Sequence, residues 1–198
     1  MVKVLPYGPL AVLVEFDTLA EVMNASDAWR EAALPGVVDI VTAARTVLVV
    51  HDGTFDSGHL VVPKSTVVHV PTSETVVIDV VYDGADLGHV AEACGLRARD
   101  VLELHSGAQY TVAFCGFMPG FAYLVGLPPV LQLPRRSTPR TRVQQGSVAI
   151  AAEFTGVYPR DSPGGWHLLG RTDAVLWDDS CTPPALLPPG TRVRFRPT

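Results

Sequence analysis

CGFMPGFAYLVGLP, residues 115–128, is the stretch at which the helical patterns of this chain give way to short β segments. It places two Gly-Phe pairs, a methionine, a tyrosine and two prolines within fourteen residues. A helix interior does not tolerate that density of glycine and proline, and no clean period of two indicates a strand. The backbone must therefore turn repeatedly, and the aromatic side chains either pack an irregular loop or form the wall of a site.

The segments around this stretch predict a β-rich second half of the chain. Two helices are expected before it, one at residues 87–94 with Gly95 as its stop and one at residues 99–106. Short β segments separated by Gly- and Pro-rich connections are expected at residues 110–114, 147–152, 166–170, 174–177 and 192–195. This spacing is typical of a β-barrel or a β-sandwich.

The first half predicts a small α+β domain. Residues 10–16 predict a strand, residues 18–33 a helix capped by Asp17 or Thr18, and residues 37–50 a pair of strands. Residues 51–73 hold several glycines and prolines and predict at most a short helix, and residues 75–82 predict another strand. We expect an α+β domain at residues 1–83, followed by a barrel domain at residues 84–198.

Composition bounds the class of protein. The chain has 198 residues, of which 47% are hydrophobic and 18% charged, as in an ordinary globular protein. Its three cysteines are widely spaced without a CxxC pair, so we expect reduced thiols and no metal site. The N-terminal residues are a poor match to a signal peptide, and no apolar run reaches membrane-spanning length. We expect a cytoplasmic protein that binds neither nucleic acid nor membrane.

Charge is divided unevenly along the chain. Residues 1–96 hold four Lys and Arg against thirteen Asp and Glu, whereas residues 97–198 hold eleven against seven. The net charges are therefore −9 and +4, which add to the −5 of the whole chain. This asymmetry fits a second domain that handles an anionic group, although each half could simply be solvating its own surface.

The segment PRRSTPRTR, residues 134–142, is a candidate anion-binding loop. Two prolines stiffen it, and guanidinium groups bind carboxylate or phosphate in a bidentate fork. The alternative is a solvated basic loop without a ligand.

A second cluster, GVYPRDSPGGWHLLGRTD, spans residues 156–173. Its Ser-Pro-Gly-Gly segment predicts a tight turn whose glycines let a ligand or another backbone approach closely. The spacing of Gly165, Gly170, Arg171 and Thr172 resembles a P-loop with arginine in place of lysine. We reject that interpretation because the intervening residues predict a strand and no helix follows Thr172.

Acid–base chemistry has several candidates but no motif. His105, His167, Glu153, Asp161 and Asp173 lie in the basic half, and none stands at metal-ligand spacing. A GxSxG nucleophile elbow is absent. From the residues alone, the prediction is a β fold with a surface of arginine- and glycine-rich loops.

Four blocks in order, GFMPGFAYLVGLP, LPRRSTPR, QQGSVAIA and TGVYPRDSPGGWHLLGRT, resemble the family of the 5-oxoprolinase B component (PxpB), also called the KipI or allophanate hydrolase subunit 1 family. VYDGADLGHVAEACGL and LHSGAQYTV extend the match upstream. Two features depart from the family pattern: residues 51–73 are light in helix, and Gln144 stands where proline is typical.

The resemblance implies an N-terminal α+β domain joined to a cyclophilin-like β-barrel. It also implies an ATP-dependent 5-oxoprolinase component, inactive without its partner, that acts with a KipA-like C component to activate 5-oxoproline. A ring-opening A component then yields glutamate. ATP, with Mg²⁺ as counter-ion, is the expected cofactor, and which component binds it stays open.

Within that interpretation we expect site residues of two kinds. The catalytic candidates are His105, Arg140 and Arg171. The residues expected to bind substrate or anion are Phe117, Pro119, Gly120, Phe121, Arg135, Ser162, Gly164, Gly165, Trp166 and Thr172. The arginines would hold phosphate or carboxylate, the glycines would offer backbone donors, and the aromatic rings would exclude water.

Two other functions fit the same resemblance. KipI-type members bind and inhibit a sensor histidine kinase, which would make residues 115–172 a protein-binding face without chemistry of its own. Related modules occur in urea carboxylase, which implies a carboxyltransferase-like role as a second enzymatic alternative.

Overall fold

The computed structural model describes residues 2–61 and 75–198. The chain separates into two compact units, Met1–Val70 and Pro71–Thr198. Each unit contains its own cluster of buried apolar side chains. Among the described residues, no helix combines the length and apolar character needed to cross a membrane.

The first unit packs one helix on a four-stranded antiparallel sheet. Helix α1 begins after Thr18, whose hydroxyl accepts a hydrogen bond from the Glu21 N–H while the Glu21 carboxylate accepts one from the Thr18 N–H. Val22, Ala25 and Trp29 form the buried face of this helix. The elements are β1 Lys3–Pro6, β2 Ala11–Glu15, α1 Leu19–Glu31, β3 Val37–Thr42 and β4 Thr46–His51, with sheet order β1-β2-β4-β3. The predicted strand, capped helix and strand pair are confirmed.

Two helices of the second unit follow the predicted pattern. Helix α2, Leu87–Cys94, ends at Gly95, which adopts the left-handed conformation with φ of 68° that glycine reaches without strain. Helix α3, Ala98–Gly107, presents buried Val101 and His105 to the core. Both helices are confirmed within one or two residues of their predicted bounds.

A seven-stranded sheet makes up most of the second unit. Its strands are β5 Val76–Val80, β6 Tyr110–Cys115, β7 Ala122–Val125, β9 Ser147–Ala151, β10 Phe154–Val157, β12 His167–Arg171 and β13 Arg192–Pro197. They lie in the order β12-β9-β10-β7-β6-β13-β5. Two short strands, β8 Arg140–Val143 and β11 Ser162–Gly164, pair separately. The predicted β-rich second half is confirmed.

The two outermost strands of this sheet nearly meet. Val81, just after β5, and Arg171 of β12 exchange both backbone hydrogen bonds at 2.9 Å. Gly170 is required at this seam because a methyl group there would overlap the Val81 carbonyl oxygen. The sheet is therefore a nearly closed β-barrel whose edges are largely paired.

Three details differ from the sequence-based expectations. The strand expected at residues 75–82, assigned to the first domain, belongs to the second unit as β5, because it pairs in parallel with β13 and buries Ile78 and Val80 in the barrel core. The stretch at 115–128, where no strand was expected, contains β7, whose four residues are too few to show a period against the surrounding glycines and prolines. Residues 174–177 form only a single bridge between Trp177 and Ala185.

The segment at residues 51–73 is only partly covered. It contains one turn of 3₁₀-helix at Ser57–His59. The expectation for residues 62–73 lies outside the described residues.

Candidate functional site

The second unit contains a cavity of about 240 Å³ walled by aromatic rings, here called the aromatic cavity. Its lining combines the opening stretch, the arginine loop of residues 134–142 and the Pro-Gly-Gly turn. The lining residues are Phe117, Phe121, Tyr123, Arg135, Pro139, Tyr158, Pro163, Gly164, Gly165 and Trp166. Three segments that are distant in sequence thus meet at one site.

The β6–β7 connection places two phenylalanines at this cavity. Residues 116–121 turn tightly, with the Gly116 N–H bonded to the Phe121 carbonyl and the Phe121 N–H to the Met118 carbonyl. Phe117 has a φ of 71°, an uncommon conformation for a residue with a side chain, and 61% of it is exposed. Strain of this kind is concentrated at functional sites, where the surrounding structure maintains it.

The ring of Phe121 is the centre of the aromatic wall. It makes edge-to-face contacts with Phe117, Tyr158 and Trp166, at centroid distances of 5.5, 5.3 and 5.4 Å. Tyr123 contacts Trp166 at 5.5 Å. Such pairs contribute about 0.5–1.5 kcal/mol each beyond their buried area, so these contacts hold the rings of the wall in place.

Gly164 lets the Pro-Gly-Gly turn pack closely on this wall. A methyl group at this position would overlap the hydroxyl of Tyr158, whose side chain is buried. Burial raises the pKa of Tyr158, while a hydrogen bond with the Trp166 backbone and the charge of Arg135 act in the opposite direction. The phenol therefore stays neutral and offers a polar group in an otherwise apolar wall.

A buried carboxylate holds the arginine loop against helix α2. Asp86 is 3% exposed, and its oxygens accept hydrogen bonds from Arg136 Nη1 at 2.7 Å, Arg140 Nη2 at 2.8 Å and the Leu168 N–H at 2.8 Å. Burial opposes ionisation of this carboxyl, but the hydrogen bonds and the two guanidinium charges outweigh it and lower the pKa of Asp86. Asp86 is the N-cap residue of α2, but its side chain makes no capping hydrogen bond and binds the arginine loop instead.

Arg135 faces the cavity while its neighbour Arg136 is held by Asp86. The Arg136 N–H bonds to the Gly165 carbonyl at 2.8 Å, which ties the arginine loop to the Pro-Gly-Gly turn. Arg135 is exposed and lines the aromatic cavity. Burial raises the pKa of Tyr123, and the charge and hydrogen bonding of Arg135 oppose that rise. The Arg135 guanidinium thus lies beside the phenol, where a bound anion would meet it.

The structure brings together only part of the predicted site. Phe117, Phe121, Arg135, Gly164, Gly165 and Trp166 line the aromatic cavity. Arg140 stands behind it on Asp86, where its charge supports the loop. Pro119 and Gly120 belong to the same β6–β7 connection but do not line the cavity, and Gly120 packs instead against the backbone of Leu176 and the Cβ of Trp177.

Three further predicted residues lie elsewhere. Arg171 donates to Asp83 at 2.9 Å beside the barrel seam, and Thr172 lines the same surface there. Ser162 lies on β11, and its buried hydroxyl has no partner among the described residues. These residues do not line the aromatic cavity.

His105 lies in the barrel core and is completely buried. Thr155 donates its proton to the Ala149 carbonyl, so His105 Nε2–H must donate to the Thr155 hydroxyl, and Nδ1 accepts from the Tyr82 hydroxyl at 2.7 Å. Burial lowers the pKa of His105 to about 3. With both ring nitrogens engaged, we assign it a structural position and leave it out of the proposed site.

Sequence reasoning missed the lining residues Pro139 and Pro163 and three polar residues of the site, Tyr123, Tyr158 and Asp86. Tyr123 lies inside the quoted opening stretch and Tyr158 inside the TGVYPRD block, so the aromatic content of both segments was the available signal. No local sequence pattern indicated a role for Asp86, because its partners Arg136 and Arg140 are 50 and 54 positions away. Among the described residues, no group of three or more His, Cys, Asp or Glu side chains is placed to hold a metal ion.

Comparisons with known proteins agree with the motif blocks. The family model described as carboxyltransferase domain, subdomain C and D, matches residues 2–187. The B component of 5-oxoprolinase from Escherichia coli O157:H7 is 38% identical over an alignment of 211 positions, gaps included. The alignment covers 96% of this chain and 93% of that protein.

Two solved structures share the fold. A conserved uncharacterized protein from Pyrococcus horikoshii is 33% identical, with a TM-score of 0.62 over 99% of this chain and 97% of that one. The K. lactis urea amidolyase, at 20% identity, has a TM-score of 0.73 over 100% of this chain and 15% of that one, a likeness of fold alone. The chain therefore belongs to the family of the 5-oxoprolinase B component and carries the carboxyltransferase subdomains C and D.

Proposed function

We propose that this chain is the B component of an ATP-dependent 5-oxoprolinase, which acts with a KipA-like C component to activate 5-oxoproline for ring opening to glutamate. The observation that carries the proposal is the aromatic cavity with Arg135 at its wall. 5-Oxoproline is a small ring with one carboxylate, and the cavity offers apolar faces for the ring and a guanidinium for the anion.

Different residues of the cavity would contact different parts of such a substrate. Arg135 would bind the carboxylate, and the edges and faces of Phe121 and Trp166 would exclude water from the ring. The neutral hydroxyl of Tyr158 would remain as a hydrogen-bonding group next to the lactam. Asp86 would act through the loop, because it fixes Arg136, the residue that follows Arg135.

The cavity does not suit ATP itself. Its volume of about 240 Å³ lies below the range of roughly 300–1,000 Å³ usual for larger ligands. We therefore propose that ATP and its Mg²⁺ are held mainly by the partner protein, and that the aromatic cavity is one half of a site completed by the C component.

The finer description of the fold belongs to the same proposal. We propose that the barrel is cyclophilin-like and is the second of two domains. We also propose that the chain works in the cytoplasm, in a complex with the C and A components. The nearly closed sheet and the helices α2 and α3 packed on it support the barrel assignment.

A carboxyltransferase-like role is the second candidate. The matched family model favours it, because that model is described as a carboxyltransferase domain, and urea amidolyase shares the fold. A carboxylated donor would also present an anion to Arg135, so the two functions differ in substrate more than in the chemistry of the site.

Reconstitution tests the proposal. The chain is co-expressed with a candidate C component, and 5-oxoproline-dependent ATP hydrolysis is measured with and without the ring-opening component. We expect turnover only when the chains are combined. A complex that is inert toward 5-oxoproline but transfers a carboxyl group would support the second candidate. Absence of both a complex and turnover would overturn the enzymatic proposal and favour a kinase-inhibiting protein.

A further inference from the structure

A second cavity is lined in part by the same arginine loop. It measures about 420 Å³ and is here called the histidine cavity. The polar side chains that line it are His89, Arg135, Arg136, Ser137, Thr138 and His167. Arg135 borders both cavities, and the remaining five belong to the histidine cavity alone.

His167 carries an unsatisfied acceptor at this cavity. The residue is 4% exposed, and its Nε2–H donates to the Pro134 carbonyl at 2.8 Å. Nδ1 then presents a lone pair, yet it is buried and has no hydrogen-bond partner among the described residues. Buried polar atoms without a partner are uncommon in folded proteins and call for an explanation such as a missing ligand.

The residues around His167 offer hydrogen-bond donors and positive charge. Arg136 directs one guanidinium nitrogen to Asp86, while its buried Nε has no partner among the described residues. Ser137 and Thr138 add exposed hydroxyls, and the exposed ring of His89 stacks on His167 at 5.5 Å. Since Asp86 carries one charge against those of Arg136 and Arg140, the loop keeps a net positive charge.

We infer that the histidine cavity binds a phosphate group, with the arginine loop and its hydroxyls on the oxygens and His167 Nδ1 accepting a hydrogen bond from a protonated phosphate oxygen. A phosphate that carries one proton has an O–H group to donate, which matches the lone pair on His167 Nδ1. A carboxylate has two oxygens and serves fewer of these donors, whereas a phosphate presents three or four. The inference does not rest on the substrate proposed for the aromatic cavity, although Arg135 borders both cavities.

Binding to the isolated full-length chain tests this inference without any partner or turnover. Inorganic phosphate is titrated in a chloride buffer by calorimetry, and the ring nitrogens of the histidines are followed by long-range ¹H–¹⁵N NMR. We expect saturable binding accompanied by a shift of the His167 Nδ1 resonance. AMP, titrated in parallel, separates free phosphate from a nucleotide phosphate, since tighter binding of AMP would identify the nucleotide as the source.

Variants make the assignment specific. His167→Gln keeps a donor for the Pro134 carbonyl but removes the Nδ1 acceptor, and His89→Gln alters only an exposed ring. We expect His167→Gln to weaken phosphate binding by about tenfold, the loss of one charge-assisted hydrogen bond, whereas His89→Gln, which loses only the ring stacked on His167, should weaken it less. His59→Gln, an exposed histidine in the first unit, should bind as the parent does. The inference is overturned if the chain does not bind phosphate, if acetate binds equally well, or if His167→Gln and His59→Gln behave alike.

Discussion

Asp86 and Arg140 are 54 positions apart in the chain, and Arg140 Nη2 donates to Asp86 Oδ1 at 2.8 Å. The side chain of Asp86 is 4% exposed. The side chains of Arg136 and Arg140, which donate to it, are 31% and 23% exposed. One buried anion therefore organises a largely cationic loop. Through Arg136 it also fixes the backbone contact with Gly165, and so connects the walls of both cavities.

Replacing Asp86 should destabilise the second unit. Asp86→Asn leaves two partly buried guanidinium groups without their anion, and we expect a loss of about 2–4 kcal/mol in the free energy of unfolding. Urea unfolding measures it. Asp173→Asn, at an exposed position, is the matched control and should change stability by less than about 0.5 kcal/mol. Equal stability of the two variants would mean that the network adds nothing to folding.

Removing Arg135 should affect activity without affecting stability. Arg135→Ala deletes an exposed side chain at the wall of the aromatic cavity, so the loss falls on the bound anion. In the reconstituted complex we expect kcat/KM for 5-oxoproline to fall by about 10–100-fold.

Arg194→Ala is the matched control for that experiment, because this arginine is exposed on β13 and does not line the aromatic cavity. Its activity should equal that of the parent. Similar activity in both variants would remove Arg135 from the substrate site.

The elements of this fold were largely predictable from local patterns, whereas the site was predictable only in its composition. The Thr18 cap and the Gly95 stop depend on neighbouring residues, so the sequence shows them directly. The assignment of β5 to the barrel depends on its pairing with β13, more than a hundred positions away, and the Thr75–Tyr82 pattern is the same in either unit.

The candidate site residues show the same difference between local patterns and long-range contacts. Phe121, Arg135 and Gly164 were found because clusters of aromatic residues, arginines and glycines stand out in the sequence. Arg171 was grouped with them by residue type, but its partner Asp83 places it at the barrel seam. His105 was proposed for chemistry as a histidine, and only the tertiary structure shows that Thr155 and Tyr82 occupy both of its nitrogens.

Burial of His105 should make stability depend on pH. Its pKa is lowered to about 3 in the folded state from an ordinary value near 6.5, so the unfolded chain binds the extra proton first. The contribution is complete above about pH 6.5 and is lost as the pH falls toward 3. Below about pH 4 the carboxylates with lowered pKa, such as Asp86, add to the loss.

Melting temperatures between pH 4 and 7 test this dependence. The parent should lose stability as the pH falls through this window. A His105→Gln variant, which does not titrate, should be less stable at pH 7 but show a flatter profile. Parallel profiles for parent and variant would show that His105 does not account for the pH dependence.

Two glycines provide a matched test of the aromatic wall. In Gly164→Ala the new methyl group would overlap the Tyr158 hydroxyl, and because that side chain is buried, the turn must move. We expect a loss of about 1–3 kcal/mol and weaker substrate binding at the displaced Pro-Gly-Gly turn. Gly88→Ala adds the same methyl group in open space within helix α2, where it should stabilise the chain by about 0.5–1 kcal/mol. Thermal unfolding measures the change in stability of each variant. Changes of opposite sign would confirm that close contact with Tyr158, and not the general effect of a methyl group, requires glycine at position 164. Stabilisation of both variants would show that the wall has room to relax, and the rigidity assigned to the aromatic cavity would then be wrong.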